Sequence, residues 1–567
     1  MRNALHDEDT AQVRKARGAF FTPEPIARHL VERTVLSADD RVLEPSCGEA
    51  AFLTGAVTRL RALRAPAPSH PTAPEAPRSS DVTPRVDGVE IHAASASRAG
   101  DLVRAAGGDP HIEVRDFFEV PASPRCTAVV GNPPYIRYQD FTGHARARAQ
   151  EAALRGGVTL TRLASSWAAF TVHSALMLEP GGRMGLVLPA ELLSVNYAAG
   201  VRSFLLENFA SVELVVFTER VFPEAQEDVV LLIAHGFGTG SATDITITRA
   251  QNAAALDGPL DSTRWTPQDP AGKWTPALLS TAAWDSYGTG ATAQFTHLET
   301  WGDTTLGMVT GNNRYFTLSP AEVRDLGLSG QDVLRISPPG SAHLRGLDLD
   351  ENRWQDLGEH AGRATFLFRP DDDPSDAARA YIAAGEDAEV DRAYKCRVRR
   401  TWWQVPLVDP ADLFLTYMNA NTPRITTNSA GVRHLNSVHG VYLRPEFRTL
   451  GRASLPLGAL TSVTLVGAET VGRSYGGGML KLEPKEADRL PVPRPDLLAA
   501  AAEDLRRARP EVAAHLRAGR LLDAVTCVDE IVLRGHAGMS QNELDGLRDA
   551  YRELSSRRRA RGRRART

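Results

Sequence analysis

The chain reads as an α/β protein built on a doubly wound, mostly parallel sheet. Two observations predict this over residues 1–240. Short apolar runs end in a polar side chain, as in Val42-Leu43-Glu44, Val89-Glu90 and Val129-Val130-Gly131-Asn132. Amphipathic stretches at helical spacing separate them, and strands alternating with helices specify parallel order with a right-handed crossover. A third observation limits the prediction: the alternation stops near residue 240, and 567 residues are too many for one core.

The first element is a helix from about Pro25 to Leu36, preceded by Phe20-Phe21-Thr22-Pro23. Thr22 falls in the N-cap region, with prolines near the first turn. Phe20 and Phe21 line an apolar ligand or staple onto the helix. Next comes strand–turn–helix: Arg41 to Pro45, Ser46-Cys47-Gly48-Glu49-Ala50, then a helix from Ala51 to Leu63. Gly48 lets a ligand approach the backbone at a helix N-terminus, and Glu44 is placed to take a cationic amino group. The multi-glycine phosphate fingerprint of dinucleotide sites is missing. Residues 64–85 are rich in Pro, Ala and Ser and read as a disordered insertion, because strand patterning resumes after them. Val86 to Ile91 is the next strand, with Glu90 placed to bind a ribose diol. Ile112 to Phe118 is a third, delivering Asp116 to an adenine amino group and Phe117 to the ring.

The run Thr127–Val130 then meets Gly131-Asn132-Pro133-Pro134-Tyr135. The proline pair forbids continuation of the strand. A carboxamide is thereby held at a strand's carboxyl end, where open α/β sheets place ligands. Such a loop suits methyl transfer to a planar amino nitrogen. That nitrogen's lone pair is delocalised, so it is a poor nucleophile. The Asn132 carboxamide oxygen and the Pro133 carbonyl accept its hydrogens and favour a pyramidal nitrogen, while Tyr135 stacks on the ring. A plain turn is the competing reading. A tetrapeptide of this kind arises by chance in a chain this long only roughly two times in a hundred.

A polar loop follows over 136–163, with Arg137, Arg146, Arg148 and Arg155 available for phosphate or merely solvated. Trp167–Leu178 and Ala198–Phe209 read as helices, and Met184–Leu188, Val212–Phe217 and Val229–Ala234 as strands, one of them a reversed edge strand. Residues 241–290 read as a linker. Residues 291–490 mix short strands and polar loops. Gly311–Phe316 and Lys395–Trp403 interleave basic and aromatic residues, and Arg397, Arg399 and Arg400 are expected to touch DNA. Residues 491–567 form a helical segment whose tail carries seven arginines from Arg557 to Arg566, expected to be disordered and to hold DNA nonspecifically.

Net charge is −4, so a nucleic-acid surface must be a local patch. Cys47, Cys126, Cys396 and Cys527 have no paired spacing, which argues against a zinc site or disulfide framework and fits a reducing cytoplasm. No metal is expected. No apolar run is long enough for a membrane span, and the N-terminus, with His6, Asp7, Glu8 and Asp9, does not read as a signal peptide.

Together these pieces resemble the gamma-class N6-adenine DNA methyltransferases of type II restriction–modification systems, of the Taq and Sal/Xho types. The resemblance covers roughly residues 14–240, and less specifically Gly311–Phe316 and Gly472–Leu482. It implies a Rossmann-like S-adenosylmethionine-dependent methyltransferase domain over 1–240, a mixed α+β target-recognition domain over 291–490 and a helical C-terminal segment over 491–567. In that family Phe21, Thr22 and Pro23, the loop of Glu44, Pro45, Cys47 and Gly48, and Glu90 hold S-adenosylmethionine. Asp116 and Phe117 contact its adenine, Asn132, Pro133, Pro134 and Tyr135 form the catalytic loop, and Phe222 stacks on the extruded base. Glu49-Ala50 departs from the family's small, glycine-containing pair, and His92 stands where Asp is common. Double-stranded DNA, a separately encoded cognate endonuclease and a monomeric cytoplasmic enzyme are the expected setting. A nuclease constellation is not evident, so cleavage by this chain is not expected. A protein glutamine methyltransferase, which shares Asn-Pro-Pro-Tyr, and an inactive DNA-binding subunit are the alternatives.

Overall fold

The computed structural model describes residues 22–65, 83–219, 221–222, 229–267, 269–279, 281–475 and 478–563. It divides into two compact units, Met1–Leu278 and Leu279–Thr567.

The first unit is built on a nine-stranded sheet. Its strands are β1 (Val42–Glu44), β2 (Arg85–Glu90), β3 (Asp109–Val114), β4 (Cys126–Gly131), β5 (Leu178–Pro189), β6 (Phe209–Phe217), β7 (Val229–Phe237), β8 (Ile245–Ala250) and β9 (Asp261–Trp265). Their order is β3-β2-β1-β4-β5-β7-β6-β8-β9. The helices that matter for the site are α1 (Glu24–Thr34), α2 (Ala51–Arg64), α3 (Ala93–Ala105), α4 (Gly143–Arg155), α5 (Ser166–Ala175) and α6 (Ala199–Asn208). β1 pairs in parallel with both β2 and β4, Val42 facing Val86 on one side and Ala128 on the other. A strand hydrogen-bonded on both edges and covered on both faces reads as an unbroken apolar run, which is why Val42 and Leu43 are both fully buried. On one face, α1 buries Ile26, Ala27, Leu30, Val31 and Thr34, and α2 buries Phe52, Leu53, Ala56, Val57 and Leu60. These helical stripes and the β1, β2 and β4 side chains form one cluster. In β2, a Cβ on Gly88 would lie 3.1 Å from both Cys47 Sγ and Leu53 Cδ1, so glycine is what lets the strand pass so close to α2.

The strand order reverses between β1 and β4. The chain winds outward through β2 and β3, returns to β4, and winds the other way to β5. Such a reversal opens a crevice at the carboxyl ends of its two strands, here Glu44 and Gly131.

The doubly wound sheet is as the sequence predicts, with three differences. The reversed strand β7 is not at an edge: it pairs antiparallel with β5 and β6 inside the sheet. The stretch read as a linker instead adds β8, parallel to β6, and β9. Its Ile245-Thr246-Ile247 alternation was hidden among Thr, Asp and Gly, although Ile245 and Ile247 are fully buried. The stretch read as polar loop contains α4, whose buried side is only Ala149, Ala152 and Ala153, a stripe too small to register as amphipathic. Phe20, Phe21 and most of the 64–85 insertion (66–82) lie outside the described residues.

Among the described residues the second unit holds four small sheets. The largest orders Gly302–Leu306, Val438–Leu443, Leu413–Thr416 and Ile425–Thr427 antiparallel. An aromatic cluster packs Tyr315 on Tyr381, their centroids 4.6 Å apart and planes 6° from parallel, with each hydroxyl donating to the other's backbone carbonyl at 2.9 Å. Helices dominate from Pro495 onward, ending with Gln541–Arg563. Among the described residues no single helix is long and apolar enough to cross a membrane. The basic tail is helical as far as Arg563. Arg558 is not available to DNA: it is buried, holds both Glu469 oxygens at 2.7 and 2.8 Å, and donates to the carbonyls of Asn421 and Gly478. It thereby ties the last helix to a loop and a hairpin of the unit. Removing one partner of a buried pair strands the other charge. Glu469→Ala should therefore cost about 3–5 kcal/mol, read as a loss in the urea unfolding midpoint of the second unit.

Candidate functional site

β4 ends where its chemistry begins. Pro133 and Pro134 have no amide hydrogen to offer a neighbouring strand, so the chain leaves the sheet and Asn132 projects at its carboxyl edge. The half-buried Asn132 is held from both ends of its carboxamide. Nδ2 donates to Thr22 Oγ1 at 3.2 Å, and Oδ1 accepts from the Tyr135 hydroxyl at 2.8 Å. The Tyr135 oxygen is also 2.9 Å from the Val187 carbonyl on β5. One hydroxyl hydrogen thus lies between two acceptors, and Oδ1, with two lone pairs, keeps one for a ligand. Thr22 does not cap α1: the N-cap position is Pro23, with no side-chain bond. Its hydroxyl is spent on Asn132 instead.

Ser166, the first residue of α5, fixes the rest of the loop. Its hydroxyl donates to the Pro134 carbonyl and accepts from the Ile136 amide at 2.9 Å, while its own amide donates to the Ile136 carbonyl at 3.1 Å. Sequence reasoning missed this residue. The only signal was the Ser165-Ser166 pair before Trp167, which reads as an ordinary helix cap, yet the Ser165 side chain makes no cap bond.

Two buried carboxyls stand beside this loop, at the ends of β1 and β2. A Cβ on Gly131 would lie 3.6 Å from Glu44 Cγ, which puts Glu44 against the end of β4. Its Oε2 accepts from the Leu53 amide at 3.2 Å, in the first turn of α2. Burial pushes its carboxyl well above the ordinary value, and nearby Glu90 adds to the shift. Glu90 accepts from the Gly48 amide at 3.0 Å and the His92 amide at 2.9 Å. Pro45 and Cys47 are buried, and burial raises the Cys47 thiol, so it is no nucleophile. Gly48 takes φ +48°, and a Cβ there would meet nothing within 4 Å, leaving open space in front of the turn. The two departures from the family pattern are accommodated locally. In the first, Glu49 pairs with Arg98 at 2.6 Å and Ala50 takes the left-handed φ of 60°; in the second, His92 donates its amide to Glu90 at 2.9 Å.

Asp116 and Phe117 sit after β3 but are engaged. Asp116 accepts from the Phe118 amide at 3.0 Å and pairs with Arg148 at 3.0 Å. Phe117 is buried, with one face stacked on Phe170 at 5.3 Å and 18°. Arg148, read as free for phosphate, is committed to Asp116 and Glu119. Phe222, expected to stack on an extruded base, is only 5 % exposed and packs in the α1–α2 cluster. In the second unit, Lys395–Trp403 is not a strand: Tyr394–Arg397 is a short helix followed by a turn. Arg397 and Arg400 are exposed. Arg399 is spent inside the unit, donating to the carbonyls of Val309, Thr310 and Trp402 at 2.6, 2.7 and 3.1 Å. It is a loop clamp, with no donor pattern left for DNA. Phe21 lies outside the described residues.

The comparisons with known proteins agree with this architecture. Residues 110–222 match the Eco57I restriction-modification methylase family, and residues 271–533 match the C-terminal domain of the type II methyltransferase M.Eco57I. The type II methyltransferase M.XamI of Xanthomonas campestris pv. amaranthicola is 26% identical over 494 residues, which span 84% of this chain and 85% of that one. M.AccI of Acinetobacter calcoaceticus is 21% identical over 379 residues, 64% of this chain and 68% of its own. The structure of the type IIL restriction-modification enzyme MmeI in complex with DNA superposes with a TM-score of 0.52 at 13% identity, covering 94% of this chain and 75% of MmeI. That likeness is one of fold, a Rossmann-like methyltransferase sheet with further domains. With residues 110–222 and 271–533 matched by two Eco57I methylase models, and M.XamI similar over most of both chains, the chain belongs to the type II methyltransferases of restriction–modification systems.

Proposed function

We propose that this chain transfers a methyl group from S-adenosylmethionine to the N6 amino group of adenine in double-stranded DNA, after the base is flipped from the helix. The observation that carries the reading is the Asn132 carboxamide, oriented by Thr22 and Tyr135 at the carboxyl end of β4 beside the buried Glu44 and Glu90. S-adenosylmethionine supplies the electrophilic methyl group when bound. The residues present fit it. The open space at Gly48 admits a ligand against the backbone. Glu44 offers a buried acid to its ammonium, and Glu90 an acid to its ribose diol.

The remaining chemistry belongs to the chain. Asn132 Oδ1 and the Pro133 carbonyl accept the two hydrogens of the adenine amine. Those bonds oppose delocalisation of its lone pair into the ring and aim it at the methyl group. The new carbon–nitrogen bond replaces the methyl group's bond to sulfur, whose electron pair stays with the departing S-adenosylhomocysteine, and one amine hydrogen then leaves to solvent as a proton. Tyr135 offers its ring face to the flipped base, and stacking of this kind is worth roughly 1–3 kcal/mol. Flipping is required because the amine is out of reach inside the duplex. Residues 291–490 then read the sequence, with Arg397 and Arg400 available to the duplex, and methylation protects host DNA from a separately encoded nuclease.

Expression in a methylation-free host, with nucleosides digested and weighed, tests the reaction. N6-methyladenine is the expected product, and N4-methylcytosine alone would overturn the reading. Asn132→Ala should lower turnover by about 10²–10³-fold with DNA affinity nearly unchanged. Ser166→Ala leaves all groups that meet the base in place and removes only the loop pin. It should lower kcat while leaving cofactor affinity at the wild-type value, and an unchanged kcat would show the pin to be dispensable.

Glu44 gives a pH dependence. Its carboxyl is raised by burial, so it becomes neutral at a higher pH than an ordinary acid, and a neutral acid no longer attracts an ammonium. Calorimetric affinity for S-adenosylmethionine should fall as pH is lowered from 8 to about 5. Glu44→Gln should bind more weakly at neutral pH and show a flatter profile. Identical profiles for the two proteins would remove Glu44 from the ammonium site.

A further inference from the structure

Arg424 of the second unit lies in the field of Arg345, and no carboxylate among the described residues pairs with either. Arg424 is 6 % exposed, and its Nε and Nη1 are closed off from solvent with no acceptor. Half-buried Arg345 likewise has no hydrogen-bond acceptor or carboxylate among the described residues. The backbone places them together. Asp348 pairs with Thr427 in a parallel bridge, confirmed by the Thr427 amide donating to the Leu347 carbonyl at 3.0 Å and the Leu349 amide to the Thr427 carbonyl at 2.8 Å. Three residues before that bridge Arg345 lies against the same strand, opposite Thr426, and Arg424, two residues from Thr426, shares its face of the strand. The Thr426 hydroxyl, 3.3 Å from the Leu344 carbonyl and 3.0 Å from that of Gly346, brackets Arg345 on both sides. Arg424 itself is fixed by its main chain, exchanging hydrogen bonds with Thr416 at 2.8 and 3.0 Å. Burial and the neighbouring Arg345 lower its guanidinium to about 10. Two further buried hydroxyls are unpartnered in this part of the unit: Thr422, two residues before Arg424, and Tyr551, which lies in the field of Glu469, Arg559 and Arg558 as well as of Arg424.

A buried charge without a partner is costly, and a second like charge beside it adds to the cost. Buried polar groups are as a rule satisfied, so two neighbouring guanidiniums with no acceptor among the described residues mark a place prepared for something else. It must be an anion, and guanidinium forks match tetrahedral oxyanions with paired bonds. We propose that Arg345 and Arg424 hold a phosphate group, supplied in the working enzyme by the backbone of the DNA. The DNA source rests on the function proposed above; the phosphate site itself does not.

The full-length protein tests this in two arms. In the first, thermal unfolding is followed with inorganic phosphate against sodium chloride of equal ionic strength. Phosphate should raise the wild-type midpoint, while Arg424→Met, and the half-exposed Arg345→Gln should Arg424→Met fail to fold, should lose that rise. In the second, binding to an unmethylated duplex is titrated against salt. Losing one phosphate contact should flatten the log–log slope by about 0.9 for every duplex alike. Loss of the phosphate effect with an unchanged slope assigns the site to free phosphate, and a flattened slope assigns it to DNA. Variants that match wild type in both arms overturn the proposal. Wild-type methyl transfer, assayed in parallel, separates a failure of this site from a failure of the methyltransferase reading.

Discussion

Two adjacent prolines set the terms for everything around them. A strand in the middle of a parallel sheet is bonded on both sides, and β4 lies between β1 and β5. Pro133 and Pro134 remove the donors that would prolong that ladder, so the chain must turn out of the sheet at Asn132. The turn falls where the winding order reverses between β1 and β4, and such a reversal opens a crevice at the strand ends. The carboxamide therefore arrives in a crevice, beside the acids that end β1 and β2. Thr22, Tyr135, Val187 and Ser166 then fix what the prolines began, each from a different element.

That division explains what was legible in the sequence and what was not. The sheet and the acids at the strand ends could be read because each is local: a few apolar residues, then one polar residue, then a turn. The Asn132 loop was readable for the same reason. The bonds that orient it were not, because they join residues far apart in the chain: Thr22 reaches Asn132 across 110 positions, and Ser166 reaches Pro134 across 32. The strands β8 and β9 were lost to composition, since threonine serves equally in a strand and in a loop. Charged residues misled most. Arg148, Arg399 and Arg558 each looked like free positive charge, and each is committed to carboxylates or backbone carbonyls. A guanidinium has five donors, and carbonyl-rich loops consume them in ways that no linear pattern reveals.

The same principle runs in the opposite direction at Arg424. There the donors are buried and unconsumed, which the sequence Asn-Thr-Pro-Arg gave no reason to suspect. The arginines that matter to an anion are those the fold has left over, and only the hydrogen bonds of the whole unit identify them.

Ala50 carries a consequence for how such chains drift. It holds a left-handed backbone, at a position fully shielded from solvent. A glycine would relieve strain of roughly 1–2 kcal/mol. It would also give up a buried methyl, worth about 0.8 kcal/mol, and would loosen the unfolded chain by a further 0.5–1 kcal/mol or so. The sum is close to zero, so alanine and glycine are nearly neutral alternatives here. Alanine in this turn is therefore no sign of an impaired loop, because exchanging it for glycine changes the fold's stability by little in either direction.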